Sequence, residues 1–111
     1  MIKLFIAGHN GMVGSALLNL FKKDQEYEII TEDRKNLDLL DFKQTNLFFE
    51  KNKPDYVILA AAKVGGIVAN SKYPVEFLID NLKIQNNVIE SCNNFNVKKL
   101  LFLGSSCIYP K

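Results

Sequence analysis

The chain is short of arginine: among its 111 residues 14 are basic, and Arg34 is the only one that carries a guanidinium. With 12 acidic residues the net charge is +2, so the chain has no strongly basic surface of the kind that marks a nucleic-acid binder. Cysteine is scarce as well. Cys92 and Cys107 match no metal-ligand spacing and require no disulfide. The compartment expected from that usage is a reducing cytoplasm. Long apolar runs are missing: the longest strictly apolar stretch, Tyr56 to Ala62, is far too short to cross a bilayer. The opening Met-Ile-Lys-Leu-Phe-Ile-Ala-Gly lacks the layout of a signal peptide. There is no internal repeat and no low-complexity linker. These lacks exclude nucleic acid and membrane as expected partners. What remains is one domain at most, with a 48% hydrophobic composition that opposes disorder and enough chain to bury a core without disulfide or metal.

Short continuous apolar runs alternate with helical stripes. Ile2 to Ala7 reads as a buried strand, followed by a glycine-bearing turn at 8–11. Met12, Val13, Ala16, Leu17, Leu20 and Phe21 fall on one helical face, which predicts a helix from about 12 to 23. Glu28 to Thr31 reads as a second strand. Asp41 is a plausible N-cap for a helix that carries Leu47, Phe48 and Phe49 and stops before Pro54. Tyr56 to Ala61 is apolar throughout, the pattern of a strand buried on both faces. Gly65 and Gly66 open a loop over 64–72, and a long helix spans about 74–94, with Phe77, Leu78, Ile84, Val88, Ile89 and Cys92 as its inner side. Lys99 to Leu103 reads as a fourth, central strand closed by Gly104.

The resulting β-α-β-α-β-α-β pattern, with right-handed crossovers, predicts an α/β doubly wound parallel sheet of four strands in the order 3-2-1-4. In such sheets ligands bind beyond the carboxyl ends of the strands where the order reverses. The order predicted here reverses between the first and fourth strands. The segments leaving that point are 8–14 and 104–109.

Gly8, Gly11 and Gly14 form Gly-x-x-Gly-x-x-Gly between a strand and a helix. Each has a physical task in a dinucleotide site. The first allows a tight turn, the second lets a pyrophosphate approach the backbone, and the third lets the helix pack close to the strand. The N-terminus of the helix then offers N–H groups and partial positive charge to the phosphates. His9 lies within this turn, and no base or metal partner stands at a useful spacing from it.

An acidic residue about 20 positions beyond the glycines holds the ribose 2′-hydroxyl of NAD, whereas an Arg there suits the 2′-phosphate of NADP. The segment Thr31-Glu32-Asp33-Arg34-Lys35 carries both signals. Glu32 or Asp33 could serve NAD. The one planar fork in the chain, Arg34, could clamp a phosphate with Lys35 adding charge, and that weights the reading toward NADP. At the end of the fourth strand, Gly104-Ser105-Ser106-Cys107 places two hydroxyls and a thiol at the mouth of the crevice. A hydroxyl there can hydrogen-bond a substrate carbonyl during hydride transfer, and a tuned thiol can move a proton. Cys92, on the inner helix stripe, reads as a small core residue. Asn81 faces the same apolar side and reads as a buried amide satisfied by backbone, or as a brace for the loop carrying Ser105.

Three stretches together resemble the extended short-chain dehydrogenase/reductase superfamily, and within it the GDP-L-fucose synthase family. They are residues 5–16 (Phe-Ile-Ala-Gly-His-Asn-Gly-Met-Val-Gly-Ser-Ala), 60–70 (Ala-Ala-Ala-Lys-Val-Gly-Gly-Ile-Val-Ala-Asn) and 101–111 (Leu-Phe-Leu-Gly-Ser-Ser-Cys-Ile-Tyr-Pro-Lys). The resemblance covers essentially the whole chain. It implies a Rossmann-like cofactor domain and an NADPH-dependent enzyme that epimerises a GDP-linked 4-keto-6-deoxy sugar at C3 and C5 and then reduces C4. The keto group acidifies the neighbouring C–H bonds, so epimerisation comes first. The resemblance further implies that Ser105 hydrogen-bonds the C4 oxygen and that Cys107 is the acid/base of epimerisation. It assigns Gly8, His9, Asn10, Gly11, Met12, Val13 and Gly14 to the pyrophosphate turn and Arg34 to the 2′-phosphate. Asp38 and Leu39 would flank the adenine. Ala61, Ala62, Leu103, Gly104 and Ser106 would line the cofactor wall. A homodimer is implied for the full-length enzyme.

Two departures accompany the resemblance. Asn10 stands where some members carry Arg near the phosphate. The superfamily's Tyr-x-x-x-Lys is also missing, since four residues after Tyr27, Tyr56 and Tyr73 stand Thr31, Ala60 and Phe77. The chain is therefore expected to be the N-terminal part (1–111) of a cofactor domain without its substrate domain, inactive alone and prone to associate through an exposed fourth strand. The competing readings are another NAD(P)-dependent nucleotide-sugar epimerase or dehydratase, and a non-catalytic NADP-binding module.

Overall fold

The computed structural model describes residues 1–60 and 74–103, apart from the side chains of Pro74 and Phe77. The segment expected to form the loop 64–72, with Ala61 and Ala62 before it, lies outside the described residues, as do residues 104–111.

Four apolar runs become parallel strands: β1 (Ile2–Ala7), β2 (Tyr27–Ile30), β3 (Tyr56–Leu59) and β4 (Lys99–Phe102). Three helices connect them: α1 (Met12–Phe21), α2 (Phe42–Asn52) and α3 (Pro74–Asn94). The elements match the sequence reading to within a few residues, and the doubly wound α/β class holds. The strand order does not. The sheet runs β2-β1-β3-β4 rather than 3-2-1-4, with Leu4–Ala7 of β1 in register against Tyr56–Leu59 of β3.

Burial gives the physical reason for this order. Val57, Ile58 and Leu59 are all buried, so β3 needs cover on both faces and takes an inner place beside β1. An outer place beyond β2 would have left that apolar run at an edge. The outer places go to β2, whose residues are mostly half-buried, and to β4, where exposed and half-buried residues alternate.

The helix positions follow from the same order. A right-handed crossover to β2 and another back past β1 to β3 run in opposite directions across the sheet, so their helices lie on opposite faces. Leu17, Leu18 and Phe21 of α1 pack on Leu4, Ile6 and Ile58. On the other face Phe49 of α2 and Ile84, Val88 and Cys92 of α3 pack on Phe5, Ala7, Val57 and Leu59. Phe49 stands edge-on to Phe5 with ring centroids 5.8 Å apart. β4 is half covered: Leu100 and Phe102 meet the α2–α3 side, whereas Leu101 is 52% exposed.

Two helical faces differ from the sequence reading. Met12, Val13 and Leu20 are exposed, and the inner line of α1 runs through Gly14, Leu17, Leu18 and Phe21. Gly14 sets that rotation. A Cβ placed on it would stand 1.9 Å from the Gly8 carbonyl oxygen, so glycine here is what lets α1 close on β1. On α3, Leu78 and Ile89 face outward, and the buried line is Asn81, Ile84, Val88, Ser91 and Cys92. Among the described residues no helix is long and apolar enough to cross a membrane.

Candidate cofactor site

The order reverses between β1 and β3, so the crevice opens beyond the carboxyl ends of those two strands. The segments leaving it are the glycine turn and the chain after Leu59. The segment after β4, where Ser105 and Cys107 were read as sharing the reversal point, starts one strand further out; those two residues, with Gly104 and Ser106, lie outside the described residues.

A cleft of about 780 Å³ opens at this end of the sheet, walled on one side by Gly8, His9, Asn10 and Gly11. Gly8 has φ 91°, a conformation that disfavours any side chain, and its carbonyl accepts from the Gly11 N–H at 3.1 Å. Gly11 is different. Its φ of −76° and ψ of 171° suit any residue, and among the described residues a Cβ there would meet only the Gly8 oxygen at an ordinary 3.5 Å. The fold itself thus demands glycine at 8 and 14 but not at 11. Gly11 lines the cleft, and its lack of a side chain lets a ligand approach its backbone closely.

The start of α1 has the same character. Its first-turn N–H groups lack intrahelical partners by geometry. Among the described residues no side chain caps them, and no carboxylate stands in the first turn. A phosphate would find there both donors and partial positive charge.

The opposite wall is the connection from β2 to α2: Glu32, Asp33, Arg34, Lys35, Leu37, Asp38, Leu39 and Leu40 all line the cleft. Its carboxylates are already engaged. Glu32 accepts from the Asn36 side chain at 3.0 Å and the Asp33 N–H at 3.1 Å. Asp33 accepts from Asn10 Nδ2 at 3.2 Å and lies 3.2 Å from His9 Nε2. Asp38 accepts from the Leu40 N–H at 3.0 Å. Arg34 and Lys35, by contrast, make no ion pair among the described residues.

This connection is braced from outside the cleft. Asp41 caps α2 by accepting from the Gln44 N–H at 3.3 Å, while Gln44 Oε1 accepts from the Asp38 N–H at 3.1 Å. Asn87 of α3 donates to the Leu39 carbonyl at 2.8 Å. Leu37 is buried at the cleft floor, with Phe5 and Ile84 beneath.

Of the residues expected to contact a cofactor, the fold thus brings Gly8, His9, Asn10, Gly11, Arg34, Asp38 and Leu39 to one cleft. Met12, Val13 and Gly14 do not line it. Met12 and Val13 point to solvent, and Gly14 acts as the packing contact against Gly8. Leu103 does not line it either, since its side chain packs on the α1 side of the sheet. Sequence reasoning missed Leu37, Leu40 and Ile84, whose apolar pattern reads equally as core. It also missed the partner of His9: Asp33 reaches that ring because parallel pairing of β1 and β2 aligns their ends. Cys92 is buried as expected, and desolvation pushes its thiol up to about 11, which keeps it neutral and unreactive near neutral pH. Asn81 is buried and partnered.

The cleft has the architecture of a dinucleotide site, and the chain is similar to known proteins over nearly its whole length. GDP-L-fucose synthase of Escherichia coli (strain K12) is 50% identical over 109 residues, which is 98% of this chain and 34% of that protein. GDP-L-fucose synthase 1 of Arabidopsis thaliana is 52% identical over 109 residues, again 98% of this chain and 34% of the relative. The structure of MlghC, a GDP-mannoheptose C4 reductase from Campylobacter jejuni with NADP bound, superposes with a TM-score of 0.88 at 40% identity, covering 98% of this chain and 34% of that one. The chain thus spans about a third of the length of the curated relatives it matches. Residues 4–111 match the NAD dependent epimerase/dehydratase family, and the chain belongs to it.

Proposed function

We propose that this chain is the N-terminal part of the cofactor domain of an NADPH-dependent epimerase-reductase, which converts GDP-4-keto-6-deoxy-D-mannose to GDP-L-fucose. The observation that carries the cofactor reading is the charge state of the cleft. Its carboxylates are hydrogen-bonded within the protein, whereas Arg34 and Lys35 make no ion pair among the described residues and the N-terminus of α1 is uncapped. An anionic ligand complements that arrangement. The fork of Arg34 favours the 2′-phosphate of NADPH over a bare ribose. The substrate is supported by curated relatives at about half identity, named GDP-L-fucose synthase.

When bound, NADPH supplies the hydride that reduces the sugar at C4. The chain's own residues position it. Gly8 and Gly11 leave room for the pyrophosphate, the α1 N-terminus neutralises it, Arg34 takes the 2′-phosphate, and Asp38 and Leu39 flank the adenine. Ser105 hydrogen-bonds the C4 oxygen, and Cys107 moves protons at the epimerised carbons. Ala61, Ala62, Gly104 and Ser106 complete the cofactor wall. The protein works in the reducing cytoplasm as a homodimer. Support for the dimer comes from the outward stripe of α3, where Val75, Leu78, Ile79, Leu82 and Ile89 are exposed.

The test is an assay of the full-length protein with NADPH and GDP-4-keto-6-deoxy-D-mannose. NADPH oxidation with GDP-L-fucose as product supports the reading. A second substrate class deserves a parallel arm, because MlghC, at 40% identity, is named for a GDP-mannoheptose. Oxidation with a GDP-linked keto-heptose and none with the 6-deoxy sugar overturns the substrate assignment while leaving the cofactor site intact.

A further inference from the structure

We infer that Asp33 is a positioning residue rather than a ribose ligand: its carboxylate latches the glycine turn to the end of β2, and so fixes the pyrophosphate cradle relative to the ribose end of the cleft. The inference rests on the cofactor reading proposed above and deepens it. An acidic residue at the end of the second strand would ordinarily accept a bond from the ribose 2′-hydroxyl. Here one oxygen of Asp33 is already taken. Asn10 Nδ2 donates to Oδ1 at 3.2 Å, and His9 Nε2 stands 3.2 Å from the same atom. Both partners belong to the turn whose backbone faces the pyrophosphate, and Asp33 directly precedes Arg34 in the opposite wall.

The latch adds a side-chain link between two segments that β1–β2 pairing has already brought side by side. The turn is set by the close approach of Gly14 to Gly8, and the β2 exit by pairing of Phe5 with Ile30. The paired register ends at Ile30, three residues before Asp33. The Asp33 carboxylate links the two segments beyond that point, and by drawing toward His9 and Asn10 it leaves the ribose end to the cation of Arg34. Discrimination between cofactors then belongs to Arg34, while Asp33 supports both cofactors equally through the pyrophosphate turn they share.

The experiment is a fluorescence titration of NADPH and NADH against the full-length protein, run at high ionic strength to screen the long-range repulsion between carboxylate and phosphate. The variants are Asp33→Ala, Asp33→Asn, Asn10→Ala and the double variant Asn10→Ala/Asp33→Ala. Asp33→Ala is expected to raise both Kd values by the same factor, about five-fold for an exposed charge-assisted contact. Asp33→Asn keeps an acceptor for the Asn10 amide and is expected to restore most of that loss. The double variant is expected to bind no more weakly than Asp33→Ala, because Asp33→Ala already removes the contact that Asn10→Ala breaks. Loss of NADH binding alone, tightened NADPH binding in Asp33→Ala, or additive losses in the double variant each overturn the latch. If the unaltered protein binds neither cofactor, the cofactor reading itself fails, and the latch with it; Arg34→Ala is the control that reports on that reading separately.

Discussion

Between β1 and α1 the turn is shaped by backbone contacts, with side chains only linking it across to Asp33, whereas between β2 and α2 the connection itself is held by side chains. In the first connection Gly8 takes a positive φ and Gly14 sits where a Cβ would lie 1.9 Å from the Gly8 oxygen. In the second, Asp38, Asp41, Gln44 and Asn87 form a set of hydrogen bonds, none shorter than 2.8 Å. The two walls of one cleft therefore respond differently to change. Steric exclusion is all-or-none, because a close-packed backbone has nowhere to move. A hydrogen-bonded wall loses stability bond by bond, and each loss leaves the others in place.

The harshest test of that difference is Gly14→Ala. The added methyl meets the Gly8 carbonyl carbon at 2.6 Å and the His9 Cα at 3.0 Å as well as the oxygen, and all three are backbone. Separating α1 from β1 is expected to destabilise the protein by about 3 kcal/mol or more, a large part of a typical total of about 5–15 kcal/mol. Denaturant unfolding of the full-length protein measures it. A midpoint unchanged from the unaltered protein would show that α1 can shift without loss, and would remove the contrast between the two walls.

Gly11→Ala sharpens the contrast within the turn. The position has ordinary dihedrals and, among the described residues, a Cβ there makes only an ordinary van der Waals contact, so stability should stay within about 0.5 kcal/mol or rise slightly through the unfolded chain. Cofactor binding should nevertheless weaken about ten-fold, the equivalent of one well-made hydrogen bond lost where the methyl holds off the phosphate. Calorimetric titration alongside a melting curve separates the two quantities. Loss of both together would mean that Gly11, like Gly14, serves the fold.

Arg34→Ala moves the test to the opposite wall. With no ion pair among the described residues to lose, the substitution should leave folding unchanged. NADPH affinity is expected to fall about ten- to a hundred-fold, as for a charge-assisted contact, with NADH affinity hardly moved. Equal losses for the two cofactors would sink the 2′-phosphate assignment.

The same contrast explains what the sequence made legible. The glycine turn was readable because glycine at a given spacing states a backbone requirement, and the strand-turn-helix context confirmed it locally. The helix limits were readable from Asp41 and Pro54 for similar reasons. The strand order was not, because a β-α-β-α-β pattern with right-handed crossovers fits either direction for the second crossover. Which direction wins depends on relative burial of β2, β3 and β4, a property of the assembled sheet. The second wall was only half readable. Its charges were visible at 32–35, but its braces join residues far apart, such as Asn87 and the Leu39 carbonyl, or His9 and Asp33. No local pattern encodes such a pair.

The mildest variant, Asn87→Ala, tests whether that distant brace matters to the cleft or only to α3. Asn87 lies on a helix packed against α2, and its amide is the bond that ties the Leu39 carbonyl to the α3 layer. Removing it leaves a part-buried carbonyl without that donor, which costs about 1 kcal/mol. The capping bonds of Asp41 and Gln44 remain, so the connection should loosen without unfolding. Hydrogen exchange should then quicken at residues 37–40 and not in the glycine turn, with Kd for both cofactors raised about two-fold through the adenine side. Because NADPH and NADH share that side, their ratio should stay fixed, unlike the result expected at Arg34. Faster exchange spread across the glycine turn as well would show that the two walls are one mechanical unit, and the distinction between a sterically fixed wall and a hydrogen-bonded one would have to be given up.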